Sequence, residues 1–146
     1  MTETTLTLRR ELYDEIVHQG YEGGDEEICG VLAGVYGDDG SVVRAVRQVD
    51  NVAETPQIRY AMDPETQLAA IESVEADGHD VVGFYHTHPT GPPRPSETDA
   101  ARATWPGYSY AICAFDGYPF LGSWRWTEDG FRRESVRLTT ASTDDT

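Results

Sequence analysis

The sequence predicts a mixed α/β fold, a curved sheet of about six strands with two or three helices packed on it. Three observations lead to this prediction. The chain has 146 residues, the size of one ordinary domain. Strand-like apolar runs alternate with a few helix-like segments. No repeat or linker divides the chain, so we expect one domain over residues 1–138 and a disordered acidic tail over 139–146.

The N-terminal third predicts a strand, a helix and a hairpin. A short strand at 6–8 precedes a helix whose apolar face carries Leu12, Tyr13, Ile16 and Val17. This helix is expected to end at three glycines, Gly20, Gly23 and Gly24. Residues 27–37 and 41–49 then form two strands, joined by a turn where GDDG stands at 37–40.

The central part predicts an extended segment, a helix and a buried strand. Residues 57–62 are expected to be extended and to form an edge of the sheet. Asp63 is the predicted N-cap of a helix that begins at Pro64 and runs to about Asp77. The apolar stripe of this helix is Leu68, Ile71 and Val74. Residues 80–88, DVVGFYHTH, are predicted to form a buried strand.

The C-terminal part predicts a short helix and three further strands. The helix covers residues 96–104 and is stopped by WPG at 105–107. Three strand-like runs follow, YSYAICAF, YPFLGSWRW and FRRESVRL, with tight turns at 116–117 and 128–130. These runs complete the predicted sheet.

The chain is strongly acidic, with a net charge of −15, and its eleven basic residues are all arginine. Such a surface repels nucleic acid phosphates, so no nucleic acid partner is expected. It also repels itself, although in molar salt the Debye length falls to about 3 Å and this repulsion is screened. The composition therefore favours a halophile with a salt-rich cytosol, with an acidic mesophile protein as the alternative.

A soluble, cytoplasmic protein is expected. No stretch approaches the roughly 20 apolar residues of a membrane span, and the N-terminus MTETTLTLRR has no apolar signal core. The two cysteines, Cys29 and Cys113, are too few for a disulfide framework. Both lie in apolar, strand-like runs, which predicts two small buried side chains.

The segment HTHPTGPPRPSETD at 86–99 carries the candidate metal site. Side chains alternate along a strand, so His86 and His88 point to the same side and can share one metal ion. A catalytic zinc needs a third protein ligand and an open position. No histidine follows the pair, which counts against an amidohydrolase-type site, and Thr90 stands where a metallo-β-lactamase-type site needs aspartate. The nearest carboxylate after the turn is in SETD, at Asp99.

Ser96 and Asp99 lie three residues apart, on one face of the predicted helix. The loop at 89–95 joins this helix to the strand end, and its four prolines limit its freedom. H-x-H alone is a weak signal, and S-x-x-D at a helix start is also a capping arrangement. Together, at this spacing, they form a strong signal for a metal held by His86, His88 and Asp99.

The whole motif resembles the zinc motif of the JAMM, or MPN+, metalloprotease family, which is H-x-H, seven residues, then S-x-x-D. The family also places a glutamate on an upstream strand, commonly in E-[VI]-x-G-x-L-x-G. EICGVLAG at 27–34 matches that pattern, with Glu27 at the glutamate position. NVAETP and RYAMDP, within 51–64, are similar to the family's intervening segment. The resemblance covers residues 5–138.

This resemblance implies a cytidine-deaminase-like fold, a Zn²⁺ ion, and cleavage after the C-terminal Gly-Gly of a ubiquitin-like protein. The chain is most similar to small archaeal members that remove such modifiers from target lysines. A water bound to zinc would be the nucleophile. Glu27 would act as general base and then acid, with Glu26 as the rival register. Ser96 would donate a hydrogen bond to the oxyanion, and Thr87 would face away from the metal.

The role of Cys113 is open at this point. Its strand is expected to lie near the helix that carries Asp99, so the thiol either packs in the core or lies beside the metal ligands and tunes them. Core packing is the more frequent fate of a cysteine. A disulfide between Cys29 and Cys113 is disfavoured in a cytosolic protein.

The Gly-Gly tail of a modifier is expected to pair with the edge segment at 57–62.

Several alternatives for function are also open. The same site would serve a protease that trims the C-terminus of a ubiquitin-like sulfur-carrier protein. The acidic surface and EICGVLAG count against a RadC-like member, and the presence of all the ligands counts against a non-catalytic member. A metal-binding module is the remaining alternative, and it would bind zinc without needing Glu27. The modifier, its targets and the oligomeric state are left open.

Overall fold

The computed structural model describes residues 3–115 and 119–140. Within them the chain forms seven strands and three helices in a mixed α/β arrangement, and none of these helices has the length and apolar character of a membrane span. The elements follow in the order β1 (Thr5–Arg9), α1 (Arg10–Gly23), β2 (Cys29–Val35), β3 (Gly40–Val49), α2 (Pro64–Ala76), β4 (Asp80–His88), α3 (Glu97–Arg102), β5 (Ser109–Ala114), β6 (Phe120–Thr127) and β7 (Gly130–Thr139).

The sheet closes into a barrel with the strand order β1-β3-β2-β4-β5-β6-β7. The short strand β1 runs parallel to both β3 and β7 and so joins the two ends of the sheet. β4 and β5 are also parallel, whereas the remaining neighbours are antiparallel. The curved sheet predicted from the sequence is therefore correct in class, and β1 is the element that closes it.

Apolar side chains pack on both faces of this sheet. On one face, Ile16 of α1 joins a buried cluster that includes Tyr85 of β4. On the other face, Val74 of α2 joins a second cluster that includes Phe84 of β4. Because side chains alternate along a strand, the residue after Tyr85, which is His86, faces the α2 side. The barrel wall thus separates a core under α1 from the face that carries the histidines.

Most of the predicted elements are confirmed. The hairpin of β2 and β3, the strand β4 and the three C-terminal strands all form. The start of α2 is also as predicted, with Pro64 in its first turn and the Asp63 side chain accepting a hydrogen bond from the Thr66 N–H at 3.0 Å. The turn expected at 116–117 and residues 141–146 of the expected tail lie outside the described residues, and β7 extends to Thr139.

Two predictions about helices are wrong. Gly20 lies inside α1, which ends at Gly23 with Gly24 as its C-cap. A Cβ at Gly20 would collide with the ring of Phe115, so the glycine there allows close packing and does not end the helix. Leu68 of α2 is 57 % exposed, and Ala70 takes its place beside Val74 on the buried face.

The edge strand expected at 57–62 is not present. Only Met62 makes a β-bridge, an isolated one with Asn51. The Val52 N–H donates to the Ala61 carbonyl at 2.8 Å, so the two ends of this segment meet and the residues between them form a loop. The reason is that the loop's backbone groups bond inward, to the side chain of Asn51, and do not line up beside a strand.

Candidate metal centre

Three buried side chains meet where β4 ends and α3 begins. His86 Nε2 and His88 Nε2 are 3.2 Å apart, and Asp99 Oδ2 lies 3.2 Å from the first and 3.1 Å from the second. Three atoms bound at about 2.05 Å to a tetrahedral zinc ion are separated by about 3.3 Å. The three atoms therefore form a triangle of the size that a zinc ion requires.

The orientation of His88 also fits a metal ligand. Its Nδ1 donates to the Pro92 carbonyl at 2.8 Å, which leaves the lone pair of the neutral ring on Nε2. That lone pair faces the carboxylate oxygen of Asp99 at 3.1 Å. Two acceptors at this distance repel each other unless a cation, a proton or a metal ion, lies between them. Two imidazoles and a carboxylate are a donor set that suits zinc.

The protonation states of His86 and Asp99 agree with ligand roles. Burial lowers the pKa of His86 more strongly than Asp99 raises it, so this ring is neutral. Burial acts to raise the pKa of Asp99, but hydrogen bonds from both histidines hold that pKa far below its usual value. Burial opposes a charge on His88, yet Asp99 and the Pro92 carbonyl raise its pKa. Without a metal, the site can thus hold a proton on His88 in the place of the cation.

The N-terminal end of α3 orients the Asp99 side chain. Ser96 Oγ accepts from the Asp99 N–H at 3.0 Å, and the Ser96 N–H donates to Asp99 Oδ2 at 2.8 Å. This reciprocal pair is a capping box. Since Oδ2 is the atom that faces the histidines, the capping box and the metal site use the same carboxylate together. In these contacts the Ser96 hydroxyl only accepts, so its hydrogen is available to a ligand.

Glu27 lies on the same side of the sheet as the two histidines. It is 5 % exposed, and one of its carboxylate oxygens and the ring nitrogens of His86 and His88 all lie within 4.8 Å of one another. Its Oε1 has no hydrogen-bond partner. Burial raises the pKa of Glu27 to about 7, although His88 acts in the opposite direction. A buried carboxyl group with a free oxygen and a pKa near neutrality is suited to proton transfer.

Two carboxylates could therefore complete a three-ligand set with the histidines. Asp99 is held as an anion at 3.1–3.2 Å from both ring nitrogens. Glu27 has an oxygen within 4.8 Å of both ring nitrogens, and burial raises its pKa to about 7. The direct contacts of Asp99 with both histidines and its negative charge favour Asp99 as the third ligand.

Thr87, the residue between the two histidines, connects β4 to the residue before β2. The Thr87 side chain points away from the histidines, as predicted, and is fully buried. Its Oγ1 accepts from the Ile28 N–H at 2.9 Å, and its own N–H donates to the Ile28 carbonyl at 3.0 Å. Thr87 thus ties the centre of the histidine pair to the residue that follows Glu27.

Cys113 does not lie at the metal site. It pairs with Thr87 in the β4–β5 ladder and packs in the buried cluster under α1. The suggested role beside the metal ligands is therefore wrong, because strand alternation turns its side chain to the opposite face. Cys29 pairs with His86 across the sheet, so its side chain lies on the histidine face, opposite to that of Cys113. Both thiols are free, and burial raises the pKa of each to about 12, so neither is a reactive thiolate.

Sequence reasoning missed two residues near the site. The ring of Tyr60 stacks on His86 with 4.2 Å between the ring centroids. The side chain of Asn51 donates to the Glu27 carbonyl at 2.9 Å. Both lie in the segments NVAETP and RYAMDP, whose match to a family pattern was the only signal and carried no chemical role.

A groove of about 430 Å³ adjoins the histidines. Tyr60, which stacks on His86, forms one wall, and Phe84, two residues before His86 on β4, lies at its base. Its other lining residues are mostly aromatic or polar: Ala61, Met62, Gln67, Arg102, Thr104, Trp105 and Tyr110. The groove is therefore connected to the histidines through Tyr60 and Phe84.

Comparison with known proteins places this geometry in context. Residues 9–127 match the family described as prokaryotic homologs of the JAB domain. A desampylase of Haloferax volcanii is 45 % identical over 142 residues, which cover 94 % of this chain and 99 % of that protein. A CysO-cysteine peptidase of Mycobacterium tuberculosis is 31 % identical over 112 residues, 76 % of this chain and 74 % of that one.

The fold has a close counterpart among solved structures. A solution structure of a protein from Desulfitobacterium hafniense superimposes with a TM-score of 0.86 at 28 % identity. The match covers 97 % of this chain and 98 % of the other.

Proposed function

The chain belongs to the family of prokaryotic JAB-domain proteins, and we propose that it is a zinc-dependent isopeptidase that removes a ubiquitin-like modifier from lysine side chains of target proteins. The observation that carries this proposal is the triangle of His86, His88 and Asp99, with the unpaired carboxyl group of Glu27 beside it. The similarity to a desampylase over nearly the whole chain supports the same activity. That protein's source, Haloferax volcanii, fits the salt-rich environment predicted from the composition.

We propose that His86, His88 and Asp99 hold the zinc ion. When bound, the ion supplies a Lewis acid that makes a water molecule acidic and polarises the scissile carbonyl. The chain's own residues then move the protons. Glu27 takes one proton from the attacking water and delivers it to the lysine amine as the carbon–nitrogen bond breaks. The products are a modifier with a free carboxylate and a lysine amine.

Ser96 is assigned to the developing oxyanion. Its exposed hydroxyl keeps a hydrogen to donate while Oγ accepts from the Asp99 N–H. A donor already held in place by a helix cap loses little freedom in the reaction, which is the requirement for stabilising charge in a transition state. The same serine therefore caps α3 and faces the reacting carbonyl.

The groove beside Tyr60 is assigned to the C-terminal tail of the modifier. The tail was expected to pair with an edge strand at 57–62, but that segment is a loop. Its residues Tyr60, Ala61 and Met62 instead form a wall of the groove. A tail that ends in glycines offers mainly its backbone, and Tyr60 places this wall directly beside His86.

A second candidate function is trimming of a ubiquitin-like sulfur-carrier protein. The observation that favours it is the similarity to a CysO-cysteine peptidase over 76 % of this chain. The metal ligands and Glu27 would act in the same way, and only the leaving group would differ. The two functions are therefore distinguished by substrate and not by the site.

A cleavage assay in molar salt, followed by mass spectrometry, tests both functions. One substrate carries a ubiquitin-like protein joined through Gly-Gly to a lysine side chain, and the other carries a linear C-terminal extension. Chelator-sensitive release from lysine supports the isopeptidase. Cleavage of the linear substrate alone supports trimming, and cleavage of neither by the zinc-loaded protein contradicts both.

A further inference from the structure

Glu27 is not held by the strands of the sheet. The ladder of β2 begins at Cys29, where it pairs with both neighbouring strands. The Glu27 N–H donates instead to the Pro56 carbonyl at 2.7 Å, and its carbonyl accepts from Asn51 Nδ2 at 2.9 Å. Both backbone polar groups of the proposed base are thus bonded to the segment that follows β3.

The Asn51 side chain is the centre of that segment. Its Oδ1 accepts from the Ala53 N–H at 3.0 Å and from the Ala61 N–H at 2.9 Å. Its Nδ2 donates to the Glu27 carbonyl and, at 3.2 Å, to the Arg59 carbonyl. These four bonds use both lone pairs and both hydrogens of the amide. No other side chain of similar size can make this set, because it needs two acceptor sites and two donors in one plane.

The loop held by Asn51 reaches the rest of the site. Tyr60 stacks on the His86 ring, and the same residue lines the groove with Ala61 and Met62. Pro56 is the partner of the Glu27 N–H. One loop therefore touches the base, a metal-binding histidine and the substrate groove, and Asn51 fixes its two ends to each other and to Glu27.

We propose that Asn51 is a positioning residue for the general base: its amide fixes the backbone of Glu27 relative to the loop that bears Tyr60. This inference rests on the proposed function, because it gives Asn51 a role in the reaction through Glu27. A displacement of about 1 Å in a catalytic group can lower a rate by about 100-fold. The loss is expected in kcat, since Asn51 supports proton transfer and does not contribute a side chain to the groove.

Asn51→Asp is the informative variant. It keeps an oxygen to accept from Ala53 and Ala61, so these two bonds within the loop can persist. It removes the donor to the carbonyls of Glu27 and Arg59. We expect kcat to fall by about 10- to 100-fold, with KM changed by less than about threefold. Zinc content, measured by mass spectrometry under native conditions, should be the same as that of the wild type.

A double-mutant cycle separates positioning from a general structural role. Asn51→Asp is combined with Glu27→Gln, and residual cleavage is followed under single-turnover conditions. If Asn51 acts through Glu27, the second substitution adds less than about threefold to the loss caused by Glu27→Gln. Asn51→Ala, which removes all four bonds, should lower kcat at least as much and also lower the free energy of unfolding.

Three results would overturn the inference. They are an unchanged kcat in Asn51→Asp, an equal loss in the Glu27→Gln background, and a loss of zinc that accounts for the loss of rate. Ile58→Ser is the matched control, because Ile58 lies in the same loop but is 64 % exposed; its kcat should stay within about threefold of the wild type. The wild type runs in every assay, so a wild type that cleaves nothing contradicts the proposed function and not the role of Asn51.

Discussion

Two clusters of buried charge can be compared among the described residues, one around Asp99 and Glu27 and one around Arg125 and Glu134. In the second cluster every strong polar group is paired. Glu134 accepts hydrogen bonds from the hydroxyl groups of Thr4, Ser109 and Ser123, at 2.6–2.7 Å. It also accepts one from Arg125 Nε at 3.3 Å.

The guanidinium of Arg125 is equally satisfied. Its terminal nitrogens donate to the carbonyls of Gly37 and Asp38 and to the Ser41 hydroxyl. This cluster joins β5, β6 and β7 to the β2–β3 turn. Each nitrogen of Arg125 and each carboxylate oxygen of Glu134 has a partner, so this cluster holds the barrel together.

In the cluster of Asp99 and Glu27, by contrast, some buried polar groups lack a hydrogen-bond partner. Glu27 Oε1 has no hydrogen-bond partner, and the contact between His88 Nε2 and the Asp99 carboxylate needs a proton or a metal ion between the two atoms. Buried polar groups are normally paired, because an unpaired one loses its hydration without compensation. Unsatisfied bonding capacity, and not burial or charge, thus distinguishes this cluster from that of Arg125 and Glu134. Three substitutions test this distinction, here in order of decreasing effect.

The largest effect is expected for Asp99→Asn. The amide keeps the size of the side chain but removes the anion that faces both histidines, so we expect zinc affinity to fall by at least about 100-fold and cleavage to fall with it. Zinc content after dialysis against a weak chelator measures the first, and the mass-spectrometric assay measures the second. Glu97→Gln is the control, an acidic residue of the same helix that is exposed. Retention of full zinc affinity by Asp99→Asn would remove Asp99 from the ligand set.

An effect on stability alone is expected for Glu134→Gln. Arg125 would remain buried without its anion, and breaking a buried ion pair in this way lowers the free energy of unfolding by about 3–5 kcal/mol. Urea unfolding measures this change. At temperatures where the variant is folded, its kcat should equal that of the wild type. Arg47→Ala, which breaks the exposed pair of Arg47 and Asp77, should lower stability by at most about 1 kcal/mol. A folded Glu134→Gln variant without activity would mean that the two clusters are not independent.

The fold was predictable where local patterns determine it. The apolar run DVVGFYHTH predicts β4, and the alternation of side chains along a strand predicts that both histidines lie on one face. The Asp63-Pro64 pair predicts the start of α2. The closure of the barrel was not predictable, because it depends on β1 pairing with β7, whose partners lie about 130 residues apart. The loop at 57–62 was misjudged because its conformation is set by a single distant side chain, Asn51.

The site was predictable to the extent that its chemistry lies in residue type and spacing. His86, His88, Ser96 and Asp99 lie within one segment of the chain, and the structure brings them together as expected. Cys113 was assigned to either side of its strand because the sequence does not fix the register of β5 against β4. Tyr60 escaped notice because stacking on a histidine requires only an aromatic ring at the right place in space.

The smallest effect, and the sharpest test of the comparison, concerns the stability of the zinc-free protein. The pKa of Glu27 is raised to about 7 in the folded state from a usual value of 4.5. The fold therefore favours the protonated form, and the stability that this form contributes is present below about pH 4.5 and is lost as the pH rises through about 7. Glu27→Gln resembles the protonated acid. At pH 8 we expect the free energy of unfolding of Glu27→Gln to exceed that of the wild type by about 1–3 kcal/mol. At pH 4.5 the two free energies of unfolding should be nearly equal.

Urea unfolding in the presence of a chelator, at these two pH values, measures the difference. Glu26→Gln is the matched control, because Glu26 is the adjacent glutamate and is exposed, so its substitution should change the free energy of unfolding by less than about 0.5 kcal/mol at either pH. Equal stabilities for Glu27→Gln and the wild type at pH 8 would show that the Glu27 carboxylate is satisfied in the folded protein. In that case the contrast with Glu134 fails, and the unpaired oxygen no longer distinguishes a catalytic carboxyl group from a structural one.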